Sequence, residues 1–162
     1  MVLFVGKNET NAINLYEKGF NIDEIFTNRR DSYVFKYFKN KVKVSLVKDL
    51  KKQLKRHKYN LILFSNFKEP IPKEISNRFF ILNIHYSPYP SFKHLNTIEN
   101  SFKSESFTGI SFHRLNSNEV FFKKEIPVKN LTYREYEEKI KNIESNILPS
   151  LIYDLMEQYS LA

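Results

Sequence analysis

Short apolar runs that stop at polar or turn-forming residues constrain the fold of this chain most. Leu61 to Phe64 is a continuous apolar run, and Val2 to Val5 is another, closed by Gly6. Apolar runs of this length are typical of strands buried on both faces of a parallel sheet. Segments with helical spacing separate such runs along the chain. The pattern therefore predicts an α/β fold in which strands and helices alternate.

The remaining elements follow from periodicity and from turn-forming residues. Three further segments have strand character: Ile22–Asn28, Val42–Val47 and Phe79–His85. Four segments have helical spacing: Lys7–Phe20, Asp31–Asn40, Lys48–Asn60 and Tyr133–Gln158. We expect the first of these helices to be capped near Thr10 or Asn11 and to end at Gly19. In the last, Ile140, Ile143, Ile147 and Leu151 lie in line, and Pro149 is expected to interrupt the helix.

Composition limits the classes of protein that the chain can be. With 162 residues, 41% hydrophobic and 27% charged, the chain suits one domain over residues 1–162 with a real core. The absence of cysteine excludes disulfides, thiol catalysis and thiolate metal sites, and it fits a cytoplasmic location. We expect no membrane-spanning segment, because no apolar run is long enough, and no export signal, because the first residues lack a basic start and a small-residue cleavage site. The net charge of +8 favours anionic partners.

Asn83 and His85 form the strongest candidate site. They lie one residue apart where the strand Phe79–His85 is expected to run into a turn within the segment Ile81–Pro90, ILNIHYSPYP. Alternation places residues two apart on the same side of a strand, so both side chains are expected to project together beyond its carboxyl end. Histidine exchanges a proton near neutral pH, and asparagine donates a hydrogen bond to a developing oxyanion. The pair suits acyl transfer, although a single N-x-H is also common by chance.

Four segments, in order, resemble motifs of the folate-dependent formyltransferases. ILNIHYSPYP resembles the signature N-I-H-P-S-L-L-P in Asn83, Ile84, His85, Ser87 and Pro90, and departs from it at Tyr86, Pro88 and Tyr89. FTGISFHRLN resembles the segment TGvTiH in Thr108, Gly109 and His113. NFKEPIPKEI is similar to Y-G-x-I-L-P-k-e-v-L in Phe67, Ile71, Pro72, Lys73, Glu74 and Ile75. IESNILPSLI is similar to E-H-x-l-y-P-x-v-I, found in single-domain members that formylate glycinamide ribonucleotide, in Glu144, Leu148, Pro149 and Ile152.

The resemblance implies a Rossmann-like three-layer α/β sandwich with a mostly parallel sheet. It also implies transfer of a formyl group from 10-formyltetrahydrofolate to a primary amine of a small anionic substrate, such as a glycinamide-ribonucleotide-like or amino-sugar nucleotide compound. In that chemistry His85 relays a proton and Asn83 stabilises the oxyanion. The loop containing Phe67 and Ile71 would cradle the pterin, although a plain proline-rich connector explains it equally well. Ser87 and Asn116 are further candidate cofactor contacts, and Thr108 and Gly109 are candidate substrate contacts.

The first turn and the acidic loop depart from the family pattern. The family's phosphate-binding turn S-G-x-G-S-N matches Gly6, Thr10 and Asn11 only with an insertion, with Lys7 adding charge, so an ordinary helix cap is the alternative. The family's D-t-G-x-I segment has no Asp here. Counting back from Val128 puts Asn116 at the Asp position, and counting forward from Gly109 puts a deletion there.

Glu119 is the only carboxylate close enough in sequence to replace that Asp. Three alternatives follow: His85 shuttles protons alone, it does so with Glu119, or activity is lost and the chain is a binding or interaction protein. We expect no metal site, because no carboxylates accompany His85, His94 and His113 at ligand spacing. The basic run Lys51–Lys58 favours a solvated helix face over a nucleic-acid interface. We expect no membrane partner, and the sequence leaves a homodimer open.

Overall fold

The computed structural model describes residues 2–6, 9–65, 67, 69–89, 98–104 and 107–161. Within these ranges the strands are β1 (Val2–Gly6), β2 (Ile22–Thr27), β3 (Lys43–Leu46), β4 (Leu61–Ser65), β5 (Phe80–His85), β6 (Phe107–Arg114) and β7 (Val120–Pro127). The helices are α1 (Glu9–Glu17), α2 (Tyr33–Phe38), α3 (Leu50–Arg56), α4 (Lys73–Ser76), α5 (Ile98–Lys103) and α6 (Tyr133–Gln158). A 3₁₀ turn, Val47–Asp49, leads into α3.

The strands form a mostly parallel sheet in the order β3-β2-β1-β4-β5-β6-β7. Every pairing from β3 across to β5 is parallel. The pairings of β5 with β6 and of β6 with β7 are antiparallel. The expected α/β fold with a mostly parallel sheet is confirmed.

Two apolar clusters cover the two faces of the sheet. On one face, alternate residues of the central strands, such as Phe4 and Leu63, pack with Leu15 of α1 and Ile140 of α6. On the other face, Phe64 and the other set of alternate residues pack with residues of α3 and α4; these are Phe26, Ile62, Ile81, Leu50, Leu54 and Ile75. Because β5 contributes Leu82 and Ile84 to the first face, Asn83 and His85 belong to the second.

Helix α1 begins earlier than the sequence predicts. Its first residue is Glu9, so Thr10 and Asn11 lie within the helix and neither is its cap. The expected end is confirmed, because Gly19 follows the helix with a φ of +85°. The expected strand Phe79–His85 is confirmed to within one residue, because β5 begins at Phe80 and ends at His85, and Asn83 and His85 lie inside it and not in the turn that follows.

Helix α6 is continuous through Pro149, so the predicted interruption is wrong. A proline has no N–H to donate to the carbonyl four residues earlier, which is that of Ser145. The Nδ2 of Asn14 donates to this carbonyl oxygen at 3.4 Å instead. The buried stripe also differs from the predicted one: beyond Ile140 it runs through Glu144, Leu148 and Ile152, and the predicted Ile143, Ile147 and Leu151 are only partly buried.

Candidate active site

A cavity of about 240 Å³ opens on the α4 face of the sheet, beside the carboxyl-terminal halves of β4 and β5. The described residues that line it are Phe64, Phe67, Glu69, Pro70, Ile71, Asn83, Ile84, His85, Leu115 and Asn116. Asn83 is half-buried and His85 is only 5% exposed. The alternation of β5 thus places the carboxamide and the imidazole on one wall of one cavity.

His113 fixes the orientation of the Asn83 side chain. The two residues are cross-strand partners in β5 and β6. The Nδ1 of His113 lies 3.1 Å from the carbonyl oxygen of Arg114, which can only accept, so Nδ1 carries the proton. In the neutral ring Nε2 is then an acceptor, and the Nδ2 of Asn83 donates to it at 3.0 Å. One amide hydrogen of Asn83 is therefore held, and the second amide hydrogen is the one left to face a ligand.

Tyr89 encloses the two histidines. Its ring stacks on that of His113, with centroids 4.0 Å apart and planes inclined by 15°. His85 meets both rings edge-on, at 6.0 Å from His113 and 6.4 Å from Tyr89. The backbone N–H of Tyr89 donates to the hydroxyl of Ser111 at 3.3 Å, and that hydroxyl donates to the carbonyl of Ser87 at 2.7 Å. The turn after β5 is thereby tied to β6, which limits the directions in which the His85 ring can move.

Asn116 reaches the cavity from the turn after β6. Its φ of +57° lies in the left-handed region, which asparagine tolerates better than most residues. Its Nδ2 donates to the hydroxyl of Ser76 in α4. A carboxamide there carries no charge.

Glu119 is not among the described residues that line the cavity. Its carboxylate forms an ion pair with Arg114 at 3.1 Å and accepts a hydrogen bond from the hydroxyl of Tyr159 at 3.3 Å. The hydrogen bond from Arg114 is the main reason why the pKa of Glu119 lies below its usual value. The turn between Arg114 and Glu119 brings these two side chains together on the surface, away from His85.

Solved structures with the same architecture identify the fold, whereas no protein-family model and no curated protein matches the sequence. A phosphoribosylglycinamide formyltransferase from Bacillus halodurans superposes with a TM-score of 0.79 and 17% identity, over 96% of this chain and 94% of that one. The corresponding protein from Campylobacter jejuni gives 0.72 and 24%, over 95% of each chain. A sugar N-formyltransferase from Shewanella gives 0.62 and 17%, over 94% and 70%. This chain has the formyltransferase fold.

Within the formyltransferase fold, some of the predicted site residues meet and others do not. Asn83, His85, Phe67, Ile71 and Asn116 all line the cavity. Ser87, Thr108, Gly109 and Glu119 are not among the described residues that line it.

The hydroxyl of Thr108 is instead buried against the hydroxyl of Ser101 at 2.5 Å and donates to the carbonyl of Tyr86 at 3.3 Å. Asn11 is also turned inward. Its Nδ2 donates to the hydroxyl of Ser65 and to Oε2 of the buried Glu144, at 3.2 and 3.1 Å. Thr10 is exposed on α1, and Lys7 and His94 lie outside the described residues.

Other residues of the site were not singled out by the sequence. Phe64, Glu69 and Leu115 line the cavity, and Tyr89 packs on His113. The signal for Glu69 was its position in the loop expected to hold the pterin, and the signal for Leu115 was its place beside Asn116. Tyr89 was visible only as a departure from the family signature.

Two further findings concern the described ranges only. In those ranges no group of three or more His, Cys, Asp or Glu side chains is arranged to hold a metal ion. No helix in the same ranges is long and apolar enough to cross a membrane.

Proposed function

We propose that this protein transfers a formyl group from 10-formyltetrahydrofolate to a primary amine of a small, anionic substrate. The observation that carries the proposal is the pair of Asn83 and His85 on one wall of a single cavity within a formyltransferase fold. The acceptor would be a glycinamide-ribonucleotide-like or amino-sugar nucleotide compound, as the names of the superposed proteins suggest. The net charge of +8 supports anionic ligands.

The cavity suits the ring system of the donor. Phe64, Phe67, Ile71 and Leu115 supply apolar walls, and Asn83 and His85 supply a polar end. A flat heteroaromatic ring with polar edges fits such a lining. When bound, the donor would supply the formyl carbon that the amine attacks.

The chain's own residues would handle protons and charge. His85 would accept a proton from the attacking amine and return one to the leaving nitrogen. The second amide hydrogen of Asn83 would donate to the oxygen that becomes negative, and His113 would hold the carboxamide in that orientation. His85 acts without a carboxylate at Asn116, so the proton relay depends on the imidazole more than it would in a His–Asp pair.

The replacement of His85 by alanine tests the proposal. Because general acid–base catalysis typically contributes about 10²- to 10⁴-fold, we expect the kcat of His85→Ala to fall by that range. Donor binding, measured as a thermal shift on adding 10-formyltetrahydrofolate, should persist because the cavity walls remain. Formyl product would be measured with glycinamide ribonucleotide and with an amino-sugar nucleotide as acceptors.

His57→Ala is the matched control, because His57 is exposed after α3 and does not line the cavity. It should leave turnover unchanged. Undiminished turnover in His85→Ala would remove His85 from the mechanism. The second candidate, a binding protein without activity, is favoured by the uncharged Asn116. Saturable donor binding by a wild-type protein that makes no formyl product would support that candidate.

A further inference from the structure

Positive charge is concentrated in one segment of the chain, residues 29–58. The segment contains twelve of the 26 basic residues but only two of the 18 acidic ones, Asp31 and Asp49. Its surplus of ten positive charges exceeds the net charge of the whole chain, which is +8. All twelve basic residues are exposed. A charge excess confined to one segment indicates a partner that carries many negative charges.

The fold places this segment around one edge of the sheet. β3 is the edge strand, and α2 and α3 precede and follow it in the chain. Val34 and Phe38 bury α2 on one face of the sheet, whereas Leu50 and Leu54 bury α3 on the other. The basic residues therefore lie on both sides of β3. Lysine on an edge strand also hinders pairing with other sheets, which accounts for Lys43 but not for the basic residues of the two helices.

Aromatic rings accompany the charge on α2. Tyr33 is 63% exposed, and its ring centroid lies 6.3 Å from that of Tyr37. The hydroxyl of Tyr37 donates to Glu17 of α1 at 2.9 Å, and the Nζ of Lys41 lies 3.7 Å from the centre of the Tyr37 ring. These contacts hold Tyr37 in place, and Tyr33 beside it is open to solvent. Unpaired bases stack on such rings while their phosphates contact the surrounding basic residues.

We propose that the surface formed by α2, β3 and α3, which we call the basic edge (residues 29–58), binds a single-stranded nucleic acid. Considered alone, the run Lys51–Lys58 is explained by a solvated helix face. Its continuation across β3 to the basic residues of α2 and to Tyr33 is what favours a nucleic acid. A flexible strand can contact both sides of the edge at once, whereas a flat membrane or a rigid duplex contacts one side. No residue of the basic edge is among the described residues that line the cavity, so this binding does not depend on formyl transfer.

Fluorescence anisotropy with a labelled oligo-dT strand of about 20 nucleotides tests the proposal, since that is longer than a typical single-strand site. We expect a Kd in the micromolar range at about 50 mM salt and much weaker binding at about 200 mM. The triple variant Lys51→Gln, Lys52→Gln and Lys55→Gln on α3 should weaken binding about 10- to 100-fold. It should also reduce the slope of log K against log salt by about 2, because each phosphate contact contributes about 0.7. The double variant Lys36→Gln and Lys39→Gln on α2 should weaken binding too, because the strand contacts both sides of β3.

The triple variant Lys123→Gln, Lys124→Gln and Lys129→Gln is the matched control. It removes the same number of charges from exposed positions on and just after β7, the strand at the opposite edge of the sheet. Its Kd should stay close to that of the parent. Equal weakening by the control and the α3 variant would show a response to net charge alone and would overturn the proposal. Lack of binding at about 50 mM salt would also overturn it and would make the basic edge a solvated surface.

Tyr33→Ala distinguishes a nucleic acid from other polyanions. Loss of one stacked base should weaken oligo-dT binding about tenfold and leave the salt slope unchanged. Tyr153→Ala is its control, because Tyr153 of α6 is 66% exposed, and it should bind as the parent does. Parental affinity in Tyr33→Ala, or tighter binding of phosphatidylserine vesicles or of a duplex of the same length, would reject the single-strand assignment. Formyl transfer is assayed separately and should be unchanged in the α3 variant, so either proposal can fail without the other.

Discussion

Asn83 can act as an oxyanion donor only if its carboxamide keeps one orientation, and His113 is the residue that sets it. The Nε2 of His113 accepts from Asn83, and its Nδ1 donates to a backbone carbonyl that cannot change roles. A freely turning carboxamide would present its oxygen to the cavity part of the time. That oxygen would repel the developing negative charge. The hydrogen bond between the two strands is therefore a requirement of the proposed chemistry.

His113→Phe should lower kcat about tenfold while preserving the aromatic stack. The phenyl ring can still pack on Tyr89, but it offers no acceptor to Asn83. The half-buried Asn83 amide left without this acceptor also costs about 1 kcal/mol, so the melting temperature should fall. Steady-state kinetics and a thermal melt measure the two effects separately. Substrate KM values should change little, since His113 is not among the described residues that line the cavity.

Tyr89→Phe is the comparison for this variant. It keeps the ring on His113 and removes only a hydroxyl that lies 3.5 Å from the carbonyl oxygen of Ser117. We expect kcat close to that of the parent. A His113→Phe variant with parental kcat, or a Tyr89→Phe variant that is equally impaired, would show that orientation of Asn83 is not what His113 contributes.

At the scale of elements, the pairing of β6 with β7 depends on Gly109. A Cβ built on Gly109 would lie 1.9 Å from the carbonyl oxygen of Lys124, a backbone atom that cannot move without separating the strands. We expect Gly109→Ala to destabilise the protein by about 3 kcal/mol, as overpacking does. Urea unfolding measures this loss. The expected role of Gly109 in substrate binding can then be tested only after the loss of stability has been taken into account.

Gly19→Ala separates steric crowding from backbone strain. Nothing lies within 4 Å of a Cβ built on Gly19, but its φ is +85°. Gly19→Ala should therefore lower the free energy of unfolding only by the strain of alanine at a positive φ, about 1 kcal/mol. If Gly109→Ala and Gly19→Ala lower the free energy of unfolding equally, the close contact of β6 with β7 is not what requires a glycine at position 109.

Strands with a continuous or alternating apolar signal, such as β4 and the edge strand β3, were predictable from the sequence, whereas the other edge strand, β7, was not. β4 is buried along its whole length, so its side chains are uniformly apolar and the run is easy to recognise. β7 is the last strand of the sheet and carries exposed Lys123, Lys124 and Glu125, so its sequence resembles a loop. The extra strand was consequently missed.

The candidate site was also predictable only in part: features fixed within one strand were predictable, and features fixed by strand pairing were not. Asn83 and His85 were predictable because alternation within one strand fixes their common side. The bond from Asn83 to His113 depends on the antiparallel register of β5 with β6, and a local pattern contains no information on register. The buried stripe of α6 differs from the predicted one for a similar reason. Glu144 is buried and accepts a hydrogen bond from Asn11 of a distant helix, a partner that helical spacing cannot reveal.

At the scale of the whole molecule, one buried carboxylate connects the strands at one edge of the sheet. Glu24 of β2 is 4% exposed and accepts hydrogen bonds from Ser45 of β3 at 2.6 Å and from the hydroxyl of Tyr59 at 2.8 Å. Lys43 lies 2.9 Å from its Oε1. Burial acts to raise the pKa of Glu24, but the hydrogen bonds from Ser45, Lys43 and Tyr59 outweigh it and the net pKa is lowered. The ionised form is thus the one that the fold stabilises.

Because of these bonds to Glu24, the free energy of unfolding should depend on pH in the acid range. Because the folded-state pKa of Glu24 is below its unfolded value, the stabilisation is fully present above the unfolded pKa and is lost as the pH falls through the folded one. Glu24→Gln replaces an accepting oxygen with an NH₂ that faces donors, so we expect a loss of about 1–3 kcal/mol at pH 7. Urea unfolding from pH 7 to pH 3 should show the difference between parent and variant shrinking below about pH 4. Glu125→Gln, at an exposed position of β7, should show almost no difference at any pH. A Glu24→Gln loss that stays constant down to pH 3 would mean that the shape of the side chain, and not its charge, stabilises this edge of the sheet.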